Sequence, residues 1–181
     1  MLDYRNDPIL GTALDYWEEA RGARFAPRRA DIQPTRFRAQ LRHMQFIDVV
    51  DEGGSALRFR YRMMGTKLVE NFGSEFAGKF VEELFDKDKC GVLNKLYASV
   101  CDARRPLFVH CKYRAIKGLE FSSDRLYFPL SEDGEAVTMI MAVLLFHSPY
   151  DFAGEWAEAE IDSDSIRVEA VVTTGSRAQV G

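Results

Sequence analysis

Apolar residues recur every three to four positions near the start of the chain. Ile9, Leu10, Ala13, Leu14, Trp17 and Ala20 share one helical face, with Asp15, Glu18, Glu19 and Arg21 largely opposite. Asp7 suits the N-cap, Pro8 the first helical position, and Gly22 the stop. A single apolar stripe must pack on something. Next comes a linker broken at Pro27 and Pro34 and made basic by Arg24, Arg28 and Arg29. Residues 35–43 fit a short helix, with Phe37 and Leu41 on one side. A strand is predicted at 44–50 and a turn at 51–55. The next strand alternates clearly, with Leu57, Phe59, Tyr61 and Met63 on one face and Arg58, Arg60 and Arg62 on the other. The two strands make a hairpin.

The period then returns to that of a helix. Residues 66–72 carry Leu68, Val69 and Phe72 and end at Gly73; Gly78 marks a further break. Phe80, Val81, Leu84 and Phe85 suggest one more short helix. Residues 87–104 form a longer one, with Val92, Leu93, Leu96, Tyr97, Val100 and Cys101 inward and Pro106 after its end. Three strands follow, at 107–116, 119–130 and 137–146, with turns at Lys117-Gly118 and Glu132-Asp133-Gly134. The last is apolar on both parities. Met139, Met141, Val143 and Leu145 point one way; Ile140, Ala142, Leu144 and Phe146 point the other. Such a strand belongs in the middle of a sheet covered on both sides. Beyond Pro149, residues 155–160 are acidic and suit a helix, 166–172 alternate as a late strand, and the tail from Gly175 is expected to fray.

Composition narrows the class. The 181 residues are 46% hydrophobic and 29% charged, which fits a packed core and not disorder. A net charge of −4 argues against nucleic acid as the main partner. The N-terminus has charge where a secretory h-region would sit, and the longest apolar run is far too short to span a bilayer, so a cytoplasmic protein with no membrane partner is expected. Cys90, Cys101 and Cys111 are odd in number and form no Cys-x-x-Cys, which predicts free thiols and no structural metal site.

The order of elements, and several short motifs, resemble the PAS fold. Tyr61-Arg62-Met63-Met64-Gly65-Thr66, then Val69-Glu70-Asn71-Phe72-Gly73 and Phe76-Ala77-Gly78-Lys79, are similar to a signature of bacterial stand-alone PAS-like proteins. So are Tyr16-Trp17, the Pro27-x-Arg29-x-Asp31-Ile32-x-Pro34 segment, and Phe128-Pro129-Leu130-Ser131. The resemblance spans about residues 12–147 and implies an α+β fold. Its five-stranded antiparallel sheet would run in the order 2-1-5-4-3, with helices on one face. Residues 1–43 would be an N-terminal helical extension, 44–147 the core, and 148–181 a partly flexible C-terminal extension. Each motif also has a plain structural use. Gly65 would let the chain turn from strand into helix, and Gly73 and Gly78 would adopt positive φ. Trp17 would anchor the first helix on the sheet, beside Ile140 and Leu144 or their opposite-parity neighbours. Arg29 and Asp31 would pair to fix the linker.

In that fold a pocket can open between the sheet and the middle helices. The candidate lining is Tyr61, Met63, Leu68, Phe72, Tyr97, Cys111, Leu126, Phe128, Met139 and Met141, with Phe59, Leu84, Leu96 and Val109 beside them. Aromatic and Met side chains suit an apolar ligand, and equally a closed core. Arg58, Arg60 and Arg62 form a candidate anion-binding stripe, or a solvated face paired to Asp48, Glu19 or other carboxylates. Asp124 and Arg125 could bind a ligand or line an exposed stretch. Neither haem nor flavin is expected. His43 precedes the sheet, His147 follows it and His110 faces away from the pocket, while Cys90 lacks the Asn-Cys-Arg-Phe context of photoactive flavin domains. No catalytic motif is present. The resemblance implies a non-catalytic sensory or regulatory module. It would bind a small molecule or a protein partner and signal as a homodimer through the N-terminal helix to a separate signalling protein. The alternatives are an interaction scaffold with a filled core, or a small enzyme of the ketosteroid-isomerase type, which needs an acid or base in an apolar pocket.

Overall fold

The two-sided apolar strand does sit inside the sheet. A computed structural model describes residues 3–54, 56–114, 120–148 and 160–173. Its strands are β1 Met44–Val50, β2 Arg58–Met64, β3 Leu107–Arg114, β4 Glu120–Leu130, β5 Met139–His147 and β6 Glu160–Ala170. They form one antiparallel sheet in the order β2-β1-β5-β4-β3-β6. The expected 2-1-5-4-3 order is present, and β6 extends it along the far edge of β3. The late strand predicted at 166–172 is β6, which begins earlier. Of the expected acidic helix at 155–160, only Glu160 is described, and it opens β6. The Lys117-Gly118 turn and the tail from Gly175 lie outside the described residues.

The helices are α1 Leu10–Arg21, α2 Thr66–Phe72, α3 Val81–Leu84 and α4 Lys87–Ala103. The short helix expected at 35–43 is instead two 3-10 turns, Pro34–Phe37 and Leu41–His43. One sheet face is covered by α1 and the linker, the other by α2, α3 and α4. β5 feeds both layers. Met139, Met141 and Val143 pack under α1, while Ile140, Ala142 and Leu144 pack under α4 and its neighbours.

Asp7 Oδ1 accepts the backbone N–H groups of Ile9 and Leu10, both at 2.8 Å, and so caps α1. The α1 stripe is wholly taken up by the sheet. Leu10, Ala13, Leu14 and Trp17 are fully buried. Trp17 sits over Phe128 at 6.0 Å, with the β4 parity opposite to Ile140 and Leu144, and its indole N–H donates to the Pro129 carbonyl at 3.0 Å. Tyr16 fastens the linker: its hydroxyl donates to the Asp31 carbonyl at 3.0 Å and accepts from Gln33 N at 3.1 Å. The expected Arg29–Asp31 pair does not form. Asp31 takes Arg24 at 2.8 Å and the Arg28 N–H at 2.9 Å, while Arg29 lies over the Phe46 ring.

Gly73 and Gly78 have the positive φ expected of them, but Gly65 is needed for another reason. Its φ of −73° and ψ of 153° are open to any residue. What excludes a side chain is crowding, since a Cβ there would run into the backbone of Leu41 and Arg42. Gly65→Ala should therefore lower stability by about 1–3 kcal/mol as an overpacking change. Trp17→Ala should cost about 3–5 kcal/mol. Urea unfolding would show both as a lower midpoint at unchanged slope.

Candidate functional site

Helix α4 is preceded by Asp86, whose carboxylate caps it by accepting Lys89 N–H at 2.9 Å. It turns Leu93, Tyr97 and Val100 onto the sheet. Val92, Leu96 and Ser99 lie along its flank and overhang β3 and β6. Between them is an apolar groove of about 230 Å³, walled further by Val109, Cys111 and Tyr113 of β3 and by Ile161, Ile166 and Val168 of β6. Arg125 of β4 forms part of its lining. A second, smaller space of about 30 Å³ adjoins it under Tyr61, Phe72, Phe76 and Tyr97. That is room for about one water. The expected pocket position is thus nearly closed, and the larger space is displaced towards the β6 side.

Arg125 is 5% exposed. Its Nε donates to Ser123 Oγ at 2.9 Å and its Nη1 to the Tyr127 hydroxyl at 3.2 Å, and the guanidinium lies over the Tyr113 and Phe146 rings. None of these partners carries a charge. Nearby, the Tyr61 and Tyr97 hydroxyls are 3.0 Å apart. Burial pushes both phenols up, so they remain neutral and can donate. Burial also pushes the Cys101 thiol up to about 12 and raises that of Cys90, so neither is a thiolate near neutrality.

A family model for the PAS domain matches residues 6–145. The chain belongs to the PAS domain family. The match includes α1 and the linker as well as the first five strands. PAS domains are in general sensory or regulatory and non-catalytic. No curated protein matches the chain.

In this PAS domain the ten residues expected to line one pocket divide between the two sheet faces. Tyr61, Leu68, Phe72, Tyr97 and Cys111 lie on the α4 side. Met63, Leu126, Phe128, Met139 and Met141 lie on the α1 side. Two departures from simple alternation cause the division. A two-residue turn at Lys117-Gly118 would pair Val109 with Leu126, whereas the observed register pairs Val109 with Arg125. That one-residue slip exchanges the faces of β4, and β5 follows through the Phe128–Met141 pairing. In β2 the register breaks opposite Phe46 and Ile47, which pair with Met63 and Tyr61. Arg62 is the extra residue, so Tyr61 and Met63 face opposite ways.

The arginine stripe is taken up by carboxylates. Asp48 holds Arg60 at 3.0 Å and Arg62 at 3.3 Å, while Glu82 and Glu52 hold Arg58 at 2.6 and 3.1 Å. Glu19 pairs with Arg36 instead. Asp124 and Arg125 do not act together, because the pleat sends them to opposite faces.

Sequence reasoning also missed a cluster on the α1 face. Asp124, 2% exposed, bonds His110 Nδ1 at 2.7 Å and His147 Nε2 at 2.8 Å. An ionised carboxylate only accepts, so each facing ring nitrogen carries its proton. His147 ends β5 and does not lie beyond the sheet as expected. The three come together only through the pairing of three strands, which no local spacing records.

Burial would raise the Asp124 pKa, but the hydrogen bonds from His147 and His110 outweigh it and hold the group below the ordinary carboxylate value. The same bond to Asp124 raises His147 against its own desolvation. A lowered carboxylate stabilises above its ordinary pKa, and the effect is lost as pH falls through the folded value. A raised imidazole stabilises fully below about 6.5, and the effect is lost as pH rises through its folded value. The joint contribution peaks in the mildly acidic window between them. Asp124→Asn should therefore lower Tm more at about pH 6 than at about pH 8.5. Thermal melts followed by circular dichroism would test this; an equal loss at both would mean that charge is not involved.

Proposed function

We propose that this PAS domain is a non-catalytic sensor whose small-molecule ligand occupies the groove between α4 and the β3, β4 and β6 strands. The observation that carries the reading is the groove itself. It has about 230 Å³ of space, an aliphatic lining and a few convergent polar groups. Of the residues expected to touch a ligand, Cys111 lines this groove, together with Leu96 and Val109; Tyr61, Phe72 and Tyr97 line its narrow neighbour. An occupant would bear on α4 and on β6 at the sheet edge, and a shift of either would reach the surface. That surface would signal to a second copy of the chain or to a separate signalling protein. The apolar stripe of α1 is buried on its own sheet, so a homodimer through that helix would use its outer, polar positions such as Asp15 and Glu19.

The ketosteroid-isomerase reading needs an acid or base in the cavity. The described lining of both spaces includes no Asp, Glu or His. The filled-core scaffold reading predicts that nothing enters the groove.

A neutral apolar dye, N-phenyl-1-naphthylamine, tests the choice by fluorescence. The full chain should bind it. Ser99→Trp, which fills the groove from the α4 rim, should weaken binding by roughly tenfold with the circular dichroism spectrum unchanged. Val168→Trp should do the same from the β6 side. Failure of the dye to bind, or equal binding by both variants, would leave the scaffold reading in place.

A further inference from the structure

The buried charge of Arg125 has no counter-charge among the described residues. A guanidinium cannot shed its proton to escape burial. Left unpaired in a low-dielectric interior it is costly, and hydroxyl dipoles offset only part of that cost. Its neighbourhood adds to the positive potential. Arg125 lines both adjoining spaces and Lys95 the larger, and no described Asp or Glu lines either. Low-dielectric walls focus such a field on whatever enters. Of the five guanidinium N–H donors, the Nε–H and one Nη1–H are taken by the hydroxyls of Ser123 and Tyr127.

Taking the groove reading above as its basis, we propose that the ligand is a monocarboxylate with an apolar body, its head group bound by Arg125. Charge balance favours a monoanion, because a dianion such as a phosphate monoester would leave excess negative charge against one deeply buried cation. Geometry favours a carboxylate, whose two oxygens match the planar guanidinium fork. The rest of the molecule must suit Val92, Leu96, Val109 and Ile166, which offer no polar groups from their side chains. At ~30 Å³ per water-sized unit, the groove of about 230 Å³ admits a body of roughly eight non-hydrogen atoms. The tyrosine pair at the narrow end, in which one hydroxyl already donates to the other, leaves one neutral O–H donor in the space that Arg125 also lines.

Octanoate and octanamide separate the parts of this proposal, since they match in size and differ in charge. Binding to the full chain would be measured by displacement of N-phenyl-1-naphthylamine and by calorimetry at neutral pH. Octanoate should bind at least roughly thirtyfold more tightly than octanamide, the scale of charge-assisted hydrogen bonds in a desolvated site. In Arg125→Met the two should bind within about threefold of each other. Arg125→Lys keeps the charge but loses the fork, and should retain part of the preference; it also serves if the Met variant does not fold. Equal binding of the two probes to the unaltered chain would overturn the carboxylate assignment while leaving the groove as a ligand site. Dye binding that neither probe displaces would overturn it as well. If the dye does not bind at all, the groove reading fails and the assignment fails with it.

Discussion

Strand β5 has no polar face, and the rest of the fold answers that constraint. A sheet with such a strand near its centre must be covered on both sides, so two separate sets of helical elements are required. The α2–α4 layer supplies one cover. The other comes from the start of the chain, where α1 lays Leu10, Leu14 and Trp17 over the opposite face. The Trp17 indole then satisfies the Pro129 carbonyl, and the Tyr16 hydroxyl ties down the linker that carries the chain back to β1. The N-terminal segment is therefore structurally part of the sheet's core. This agrees with the span of the family match, which begins at residue 6.

Elements and their order were legible because each has a strong period: the α1 stripe, the alternation of β2, the two-sided run of β5. The same two-sidedness made facing illegible. When both parities of β4 and β5 are apolar, a one-residue change of register costs little in local pattern, and only the pairing of Val109 with Arg125 decides which set faces α4. The Arg62 bulge had a similar effect in β2, because strict alternation assigns Tyr61 and Met63 to one face. Long-range clusters were out of reach for a different reason. His110, Asp124 and His147 belong to three strands, and nothing in their spacing distinguishes a buried carboxylate held by two half-buried histidines from three solvated residues.

The corrected facing changes which chemistry meets the groove. With Leu126 and Phe128 turned towards α1, the α4 side receives Ser123, Arg125 and Tyr127 in their place. A space expected to be bounded by Met and Phe instead has a cation set among hydroxyls and rings. Adjacent residues of β4 thus hold opposite charges on opposite sides of one sheet. Asp124 is compensated by two histidines, while Arg125 has only neutral partners among the described residues.

Strand β6 has a consequence for self-association. By pairing along β3 it occupies a hydrogen-bonding edge that would otherwise be open, and Ser165 Oγ accepts the Lys112 N–H where the register breaks. The new outer edge carries Asp164, Arg167 and Glu169 as exposed charges. Charged edges resist templating by a neighbouring chain, whereas a bare β3 would present Phe108, Val109 and Cys111 in a strand ready to accept one. The last strand is in this sense a guard against edge-to-edge aggregation, and a ligand that loosened it would be trading solubility for signal.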